Sequence, residues 1–97
     1  MNKQYYVYIV TNKKRGSLYI GITSELPKRI WEHKNKTFKG FTEKYNLDKL
    51  VYYGVFDDSE NAIRREKNLR KWNRNWKIEL IEKTNPEWIN LYEEICG

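Results

Sequence analysis

The segment that most constrains the fold is the run from Leu18 to Thr23. Large apolar side chains occupy every second position, and tyrosine, glycine and threonine fill the positions between them. Alternation with a period of two is typical of a strand with one buried face, so we take this run as the central strand of a sheet. Gly21 falls on the same face as Tyr19, and a glycine inside a strand often marks a close approach by another group.

A helix is predicted directly after this strand, from about Leu26 to Asn35. Thr23 or Ser24 can cap its amino end. Pro27 suits the first turn, because no intrahelical N–H donor is needed there.

One stripe of this helix combines apolar and ionisable residues. Leu26, Arg29, Ile30 and His33 are spaced at i, i+3, i+4 and i+7, so they share a helix face. Two cationic or titratable side chains therefore lie on the face that should turn toward the body of the protein. A functional site would explain them.

The remaining elements follow from the same patterns. In chain order they are a strand at 5–11, a polar turn at 12–17, a loop at 36–48 with one short helical turn, a strand at 50–56, a helix at 60–72, its continuation at 76–81 after a bend near 73–75, and a last helix at about 86–95. Asn85 as cap and Pro86 at the first position predict the start of that last helix. The order predicts an α/β fold of the α+β type, with a small three-stranded, mostly antiparallel sheet flanked by helices. We expect one domain over residues 1–97, with its core at about 5–83.

Composition narrows the class of protein further. Nineteen Lys and Arg residues against thirteen Asp and Glu give a formal net charge of +6, which favours a polyanionic partner such as nucleic acid. Cys96 is the only cysteine and His33 the only histidine, which excludes internal disulfides and zinc sites with two imidazoles. The apolar run from Tyr5 to Val10 is too short to span a membrane, so we expect no membrane association and a cytoplasmic location.

Three polar residues interrupt the apolar faces of the two main helices: Arg29 and His33 on the first, and Glu66 on the second. Tyr8 and Tyr19 stand on neighbouring strands. If one face of the sheet packs both helices, these five side chains can converge on one cleft.

Here the sequence resembles the GIY-YIG endonucleases. Tyr6-Val7-Tyr8 is similar to the first signature, and Tyr19-Ile20-Gly21 matches the second. Arg29, His33 and Glu66 fit the arginine, histidine and metal-binding glutamate of the family. The resemblance covers roughly residues 5–83 and is to the short stand-alone members.

Two departures from the family pattern stand out. Tyr6 replaces the glycine of the first signature, as it does in short members. The family's asparagine has no clear counterpart, since Asn73, Asn75 and Asn85 are all available, with Asn85 slightly favoured by the ending that follows it.

The resemblance implies hydrolysis of a phosphodiester with one divalent cation, Mg²⁺ or Mn²⁺. Glu66 would bind the ion, which can keep several waters and so needs few protein ligands. Arg29 would bind the phosphate oxygens. Tyr8 would act as general base, Tyr19 would orient water or phosphate, and His33 would accept or relay the proton.

Basic side chains on both sides of the expected cleft would hold the phosphate backbone of a nucleic acid, which we expect to be DNA. The candidates are Lys28, Lys34, Lys36, Lys39, Arg64, Arg65, Lys67 and Lys71.

Alternatives remain at the level of sequence. The chain could be a nucleic-acid-binding module of the same fold that is catalytically weak or silent, or an interaction domain with an acidic protein partner. Tyr8 and Tyr19 could be ordinary cross-strand aromatics, and Glu66 could form a local ion pair of little energetic value.

Overall fold

The computed structural model describes residues 3–36 and 44–96. The elements bounded within these ranges are β1 (Tyr5–Thr11), β2 (Leu18–Thr23), α1 (Leu26–Lys34), β3 (Lys49–Phe56), α2 (Ser59–Lys71), α3 (Arg74–Thr84) and α4 (Tyr92–Cys96). The three strands form one sheet in which both pairs are antiparallel. The predicted α+β class and three-stranded sheet are confirmed.

The middle strand of the sheet is β1, because the strand order is β2-β1-β3. The prediction that Leu18–Thr23 is central was therefore wrong in this respect. Every residue from Val7 to Thr11 is buried, whereas β2 is buried at only some positions. A strand covered on both faces reads as a continuous apolar run, and Val7 to Val10 fits that description.

Helices cover both faces of the sheet. One core cluster joins Tyr8 and Val10 to Leu26 and Ile30 of α1. The cluster on the opposite face comprises Val7, Ile9, Ile20, Val51, Ala62, Leu69, Ile81 and Trp88. The condition stated above, that one face of the sheet packs both main helices, is therefore not met, since α1 and α2 lie on opposite sides.

The helix caps differ in part from those expected. The N-cap of α1 is Glu25, and the Thr23 hydroxyl accepts from the Glu25 N–H at 3.0 Å. Asp58 caps α2 by accepting from the Asn61 N–H.

The last helix begins at Tyr92, so the prediction of a helix from about residue 86 was wrong. Asn85 is instead the C-cap of α3. Its side-chain amide accepts from the Ile89 N–H and donates to the carbonyls of Ile89 and Val51. Trp88 has a positive φ of 56°. A turn held by the Asn85 side chain, which bonds both backbone groups of Ile89, therefore replaces the expected first helical turns.

The β1–β2 turn is fastened to α3. Arg15 forms a two-pronged ion pair with Glu82, at 3.0 Å for each hydrogen bond. Glu82 also accepts from the indole N–H of buried Trp88 at 2.7 Å. Arg74 donates to the backbone carbonyls of Arg15 and Gly16.

Of the loop expected at 36–48, residues 37–43 lie outside the described residues. Leu47, at its end, is fully buried in the cluster beneath α1. Within the described ranges, no helix has the length and apolar character needed to cross a bilayer.

Candidate active site

The site begins with a close approach between two strands. Tyr8 lies opposite Gly21 in the β1–β2 register, and its side chain is 1% exposed. A Cβ atom on Gly21 would lie 2.4 Å from the Tyr8 hydroxyl oxygen, which is too close for any real contact. The space left by this glycine is thus filled by the tyrosine phenol itself.

The Tyr8 phenol meets the histidine of α1. Its hydroxyl oxygen lies 3.0 Å from Nε2 of buried His33, at hydrogen-bond distance. Burial, with a further contribution from the positive charge of Arg29, lowers the pKa of His33 from 6.5 to about 4. His33 is therefore neutral at physiological pH.

Burial is also the largest influence on the pKa of the Tyr8 phenol. It raises the pKa of Tyr8 above its ordinary value, and the nearby Tyr19 adds to this effect. The charge and hydrogen bond of Arg29 act in the opposite direction but do not outweigh burial. The resting protein therefore holds a neutral phenol beside a neutral imidazole.

Arg29 lies one helical turn before His33 on the same stripe, as the periodicity predicted. Its guanidinium forms an ion pair with Glu32 at 3.3 Å, and its side chain is 38% exposed. The group is thus close enough to act on Tyr8 and open enough to meet a ligand from solvent.

Tyr19 lies between the two helices. Its ring centroid is 5.8 Å from that of His33, in a tilted arrangement. The guanidinium carbon of Arg70, on α2, lies 5.9 Å from the Tyr19 ring centroid. One tyrosine of the edge strand therefore contacts groups from both faces of the sheet.

Arg70 is a site residue that sequence reasoning missed. Its guanidinium forms an ion pair with the Glu66 carboxylate and donates to the Ile20 carbonyl of β2 at 3.1 Å. The signal available in the sequence was its spacing, since a residue four positions after Glu66 shares its helix face.

Glu66 reaches the same region around the edge of the sheet. Although α2 packs on the face opposite α1, its buried Glu66 is joined through Arg70 to Tyr19 and to the β2 backbone. Tyr8, Tyr19, Arg29 and His33 thus form one contiguous group, and Glu66 adjoins it through Arg70.

A divalent cation is compatible with this donor set. The described residues contain no group of three histidine, cysteine, aspartate or glutamate side chains arranged as metal ligands. Glu66 offers a single carboxylate, 8% exposed and oriented by Arg70. Mg²⁺ often takes one or two protein carboxylates and completes its octahedron with water and phosphate oxygens, so this one ligand fits such an ion.

The predicted phosphate-binding residues that the structure describes divide into two groups. Arg64 and Arg65 line a separate cleft with Asp57 and Asn61, between the end of β3 and α2. Lys39 lies outside the described residues. Those that are exposed on or next to α1, or along α2, are Lys28, Lys34, Lys36, Lys67 and Lys71.

The three candidate asparagines have different environments. Asn85 is buried, and its amide bonds to the backbone of Val51 and Ile89. Asn73 caps α3 by accepting from the Trp76 N–H. Asn75 is exposed in the first turn of that helix. The contacts of Asn85 hold the C-terminal segment against β3.

Comparison with known proteins agrees with this architecture. The family described as the GIY-YIG catalytic domain matches residues 4–79. The solution NMR structure of a UPF0213 protein from Bacillus halodurans superposes with a TM-score of 0.56 at 29% sequence identity, covering 90% of this chain and 92% of that one.

Curated relatives are also named UPF0213 proteins. A UPF0213 protein of Clostridium perfringens is 38% identical over 90 residues, which span 93% of this chain and 96% of the relative. A UPF0213 protein of Autographa californica nuclear polyhedrosis virus is 42% identical over 84 residues, or 84% of this chain and 79% of the relative. The relatives of this chain are thus small UPF0213 proteins. The chain belongs to the GIY-YIG family, and the GIY-YIG domain indicates membership of a nuclease superfamily.

Proposed function

We propose that this protein is a metal-dependent endonuclease that hydrolyses phosphodiester bonds in DNA. The observation that carries the proposal is the 3.0 Å contact between the buried Tyr8 hydroxyl and His33 Nε2, beside Arg29 and Tyr19. A buried phenol–imidazole pair next to an arginine offers a path for a proton and a site for an anion. Ordinary cross-strand packing requires neither.

Proton transfer would run from the attacking water through Tyr8 to His33. Because the resting phenol is neutral, it would accept a proton only while giving its own to Nε2 of His33. The low pKa of His33 arises in part from Arg29, whose charge disfavours the imidazolium. A phosphate bound to Arg29 would offset that charge, so substrate binding would make His33 a better acceptor.

Arg29 and Tyr19 would hold the phosphate. The guanidinium presents a planar fork of donors that matches two phosphate oxygens, and the extra charge that develops on attack would strengthen those bonds. The water oxygen forms the new bond to phosphorus while the bond to the leaving sugar oxygen breaks. The leaving oxygen then takes a proton from solvent, and His33 releases the proton it accepted to solvent, which restores the neutral Tyr8–His33 pair.

Glu66 would hold the divalent ion, with Arg70 fixing the orientation of its carboxylate. A bound Mg²⁺ or Mn²⁺ would supply charge neutralisation at the phosphate oxygens. The exposed basic side chains on α1 and α2 would contact neighbouring phosphates and make binding sensitive to salt.

The test is cleavage of branched, single-stranded and duplex DNA by the purified protein with Mg²⁺ or Mn²⁺. Glu66→Gln and Arg29→Met should each reduce cleavage by a factor of about 10² or more. The matched control is Glu60→Gln, a carboxylate on the same helix that is 83% exposed, and it should leave cleavage unchanged. Equal cleavage by all four proteins would identify a contaminating nuclease and refute the proposal. Salt-sensitive binding without cleavage would instead identify a binding module.

A further inference from the structure

Two tryptophans form an exposed pair at the junction of α2 and α3. Trp72 is the C-cap of α2 and packs partly against the core, whereas Trp76, in the first turn of α3, is 53% exposed. Their ring centroids are 5.8 Å apart and their planes meet at 89°, an edge-to-face arrangement. Trp72 thus supports the ring of Trp76 and leaves much of its surface open to solvent.

The pair borders an open groove. Glu79, Leu80 and Lys83 complete its lining, and with Trp76 they occupy positions i, i+3, i+4 and i+7 on one face of α3. Arg65 holds the other tryptophan, with its guanidinium carbon 5.0 Å from the Trp72 ring centroid. The groove therefore combines an aromatic wall and an apolar floor with a basic and an acidic group.

Basic residues are concentrated in the segment that carries both tryptophans. The segment from Arg64 to Lys77 contains seven basic residues and one acidic residue, Glu66. Its net charge equals the +6 of the whole chain, so the basic and acidic residues in the rest of the sequence are equal in number. This segment should therefore attract an anionic partner.

The backbone that carries the pair is held in place. Asn73 caps α3, and the Lys77 ammonium donates to the Arg70 carbonyl at 3.4 Å. Arg74 donates to the Gly16 carbonyl at 2.7 Å. A bound base would consequently meet an aromatic surface that is already ordered, which reduces the entropic cost of stacking.

We propose that Trp76, supported by Trp72, stacks an unpaired nucleobase of a single-stranded or branched nucleic acid. This proposal rests on the proposed nuclease function and names a feature of its substrate. Paired bases keep their faces covered by their neighbours, whereas every unpaired base offers a face for stacking. The basic residues of the same segment would contact the adjoining phosphates.

The experiment measures binding without cleavage. Wild-type protein and variants are titrated in EDTA with labelled oligothymidylate of about ten nucleotides, a length within the range single-strand binders cover, and with its duplex. Trp76→Leu should weaken single-strand binding roughly 5- to 100-fold, while Trp76→Tyr, which keeps an aromatic face, should weaken it by less than about threefold. Duplex binding should be unchanged in both variants.

Trp31→Leu is the matched control, since Trp31 on α1 is 51% exposed and lies outside the basic segment. Its single-strand affinity should equal that of wild type. Wild-type affinity of Trp76→Leu for the single strand, or an equal loss of duplex binding, would overturn the stacking proposal. Cleavage by wild type, measured separately with Mg²⁺, tests the nuclease proposal, so either proposal can fail while the other stands.

Discussion

Replacing Gly21 with alanine should damage the site through a single methyl group. The added Cβ would lie 2.4 Å from the Tyr8 hydroxyl oxygen and from the ring carbon that carries it, whereas ordinary contact begins near 3.4 Å. The ring must therefore retreat by about 1 Å, and because the Tyr8 side chain is 1% exposed, it has little room to do so.

Two quantities should change together in Gly21→Ala. Overpacking of this kind should lower the free energy of unfolding by about 1 to 3 kcal/mol, which corresponds to roughly 5 to 20 °C in a domain of this size. Misplacing the phenol by about 1 Å from His33 should reduce DNA cleavage about 10²-fold. Thermal unfolding followed by circular dichroism and a single-turnover cleavage assay measure the two effects.

Gly54→Ala is the control for this experiment. Gly54 is also a strand glycine, in β3, but a Cβ there would meet its nearest neighbours, on Phe56 and Tyr52, at 3.5 Å. This variant should unfold at nearly the same temperature as wild type, and its cleavage rate should stay within about twofold of the wild-type rate. Wild-type cleavage by Gly21→Ala would refute the argument that Gly21 exists to admit Tyr8.

Three further predictions follow from the charged contacts. The pKa of His33 is about 4 in the folded protein and 6.5 in the unfolded chain, so the unfolded chain takes up the proton first as the pH falls. The free energy of unfolding of wild type should therefore fall by up to about 3 kcal/mol between pH 6.5 and pH 4. Urea unfolding of His33→Gln should lack this loss. Arg70→Met should raise the Mg²⁺ concentration needed for half-maximal cleavage, because Glu66 loses its orienting partner; an unchanged metal titration would contradict that role. Hydrogen bonds from Arg15 and Trp88 lower the pKa of Glu82 to about 2, so the stability they contribute is present above pH 4.5 and is lost as the pH falls toward 2. Glu82→Gln should therefore have a lower unfolding temperature than wild type at pH 7, and its unfolding temperature should decline less on acidification.

Patterns within single segments predicted most of the helices and strands, and they placed two residues of the proposed site on one helix face. Alternation located β2, and helical spacing placed Arg29 and His33 on one stripe, because both depend only on the geometry of a single segment. Pro27 was placed in the first turn of α1 for the same reason, since its missing N–H donor matters only within that turn.

Long-range arrangement was harder to predict. The strand order depends on which strand is covered on both sides, and the apolar run of β1 was the available clue. The route by which Glu66 reaches Tyr19, around the edge of β2 through Arg70, depends on a tertiary contact that no single-segment pattern encodes. The expected helix at Pro86 failed because the Asn85 side chain bonds Val51, on another element, rather than capping a helix.

The Arg70 bond to the Ile20 carbonyl has a consequence for solubility. An edge strand with unpaired backbone groups is a template for joining the sheet of another molecule. Here a guanidinium binds a backbone carbonyl of the outer strand β2, and Leu50 of the other outer strand, β3, exchanges hydrogen bonds with the Leu91 N–H and the Asn90 side chain. One backbone position on each outer strand of this small sheet is thereby occupied, which should disfavour strand-to-strand pairing with another molecule at those positions.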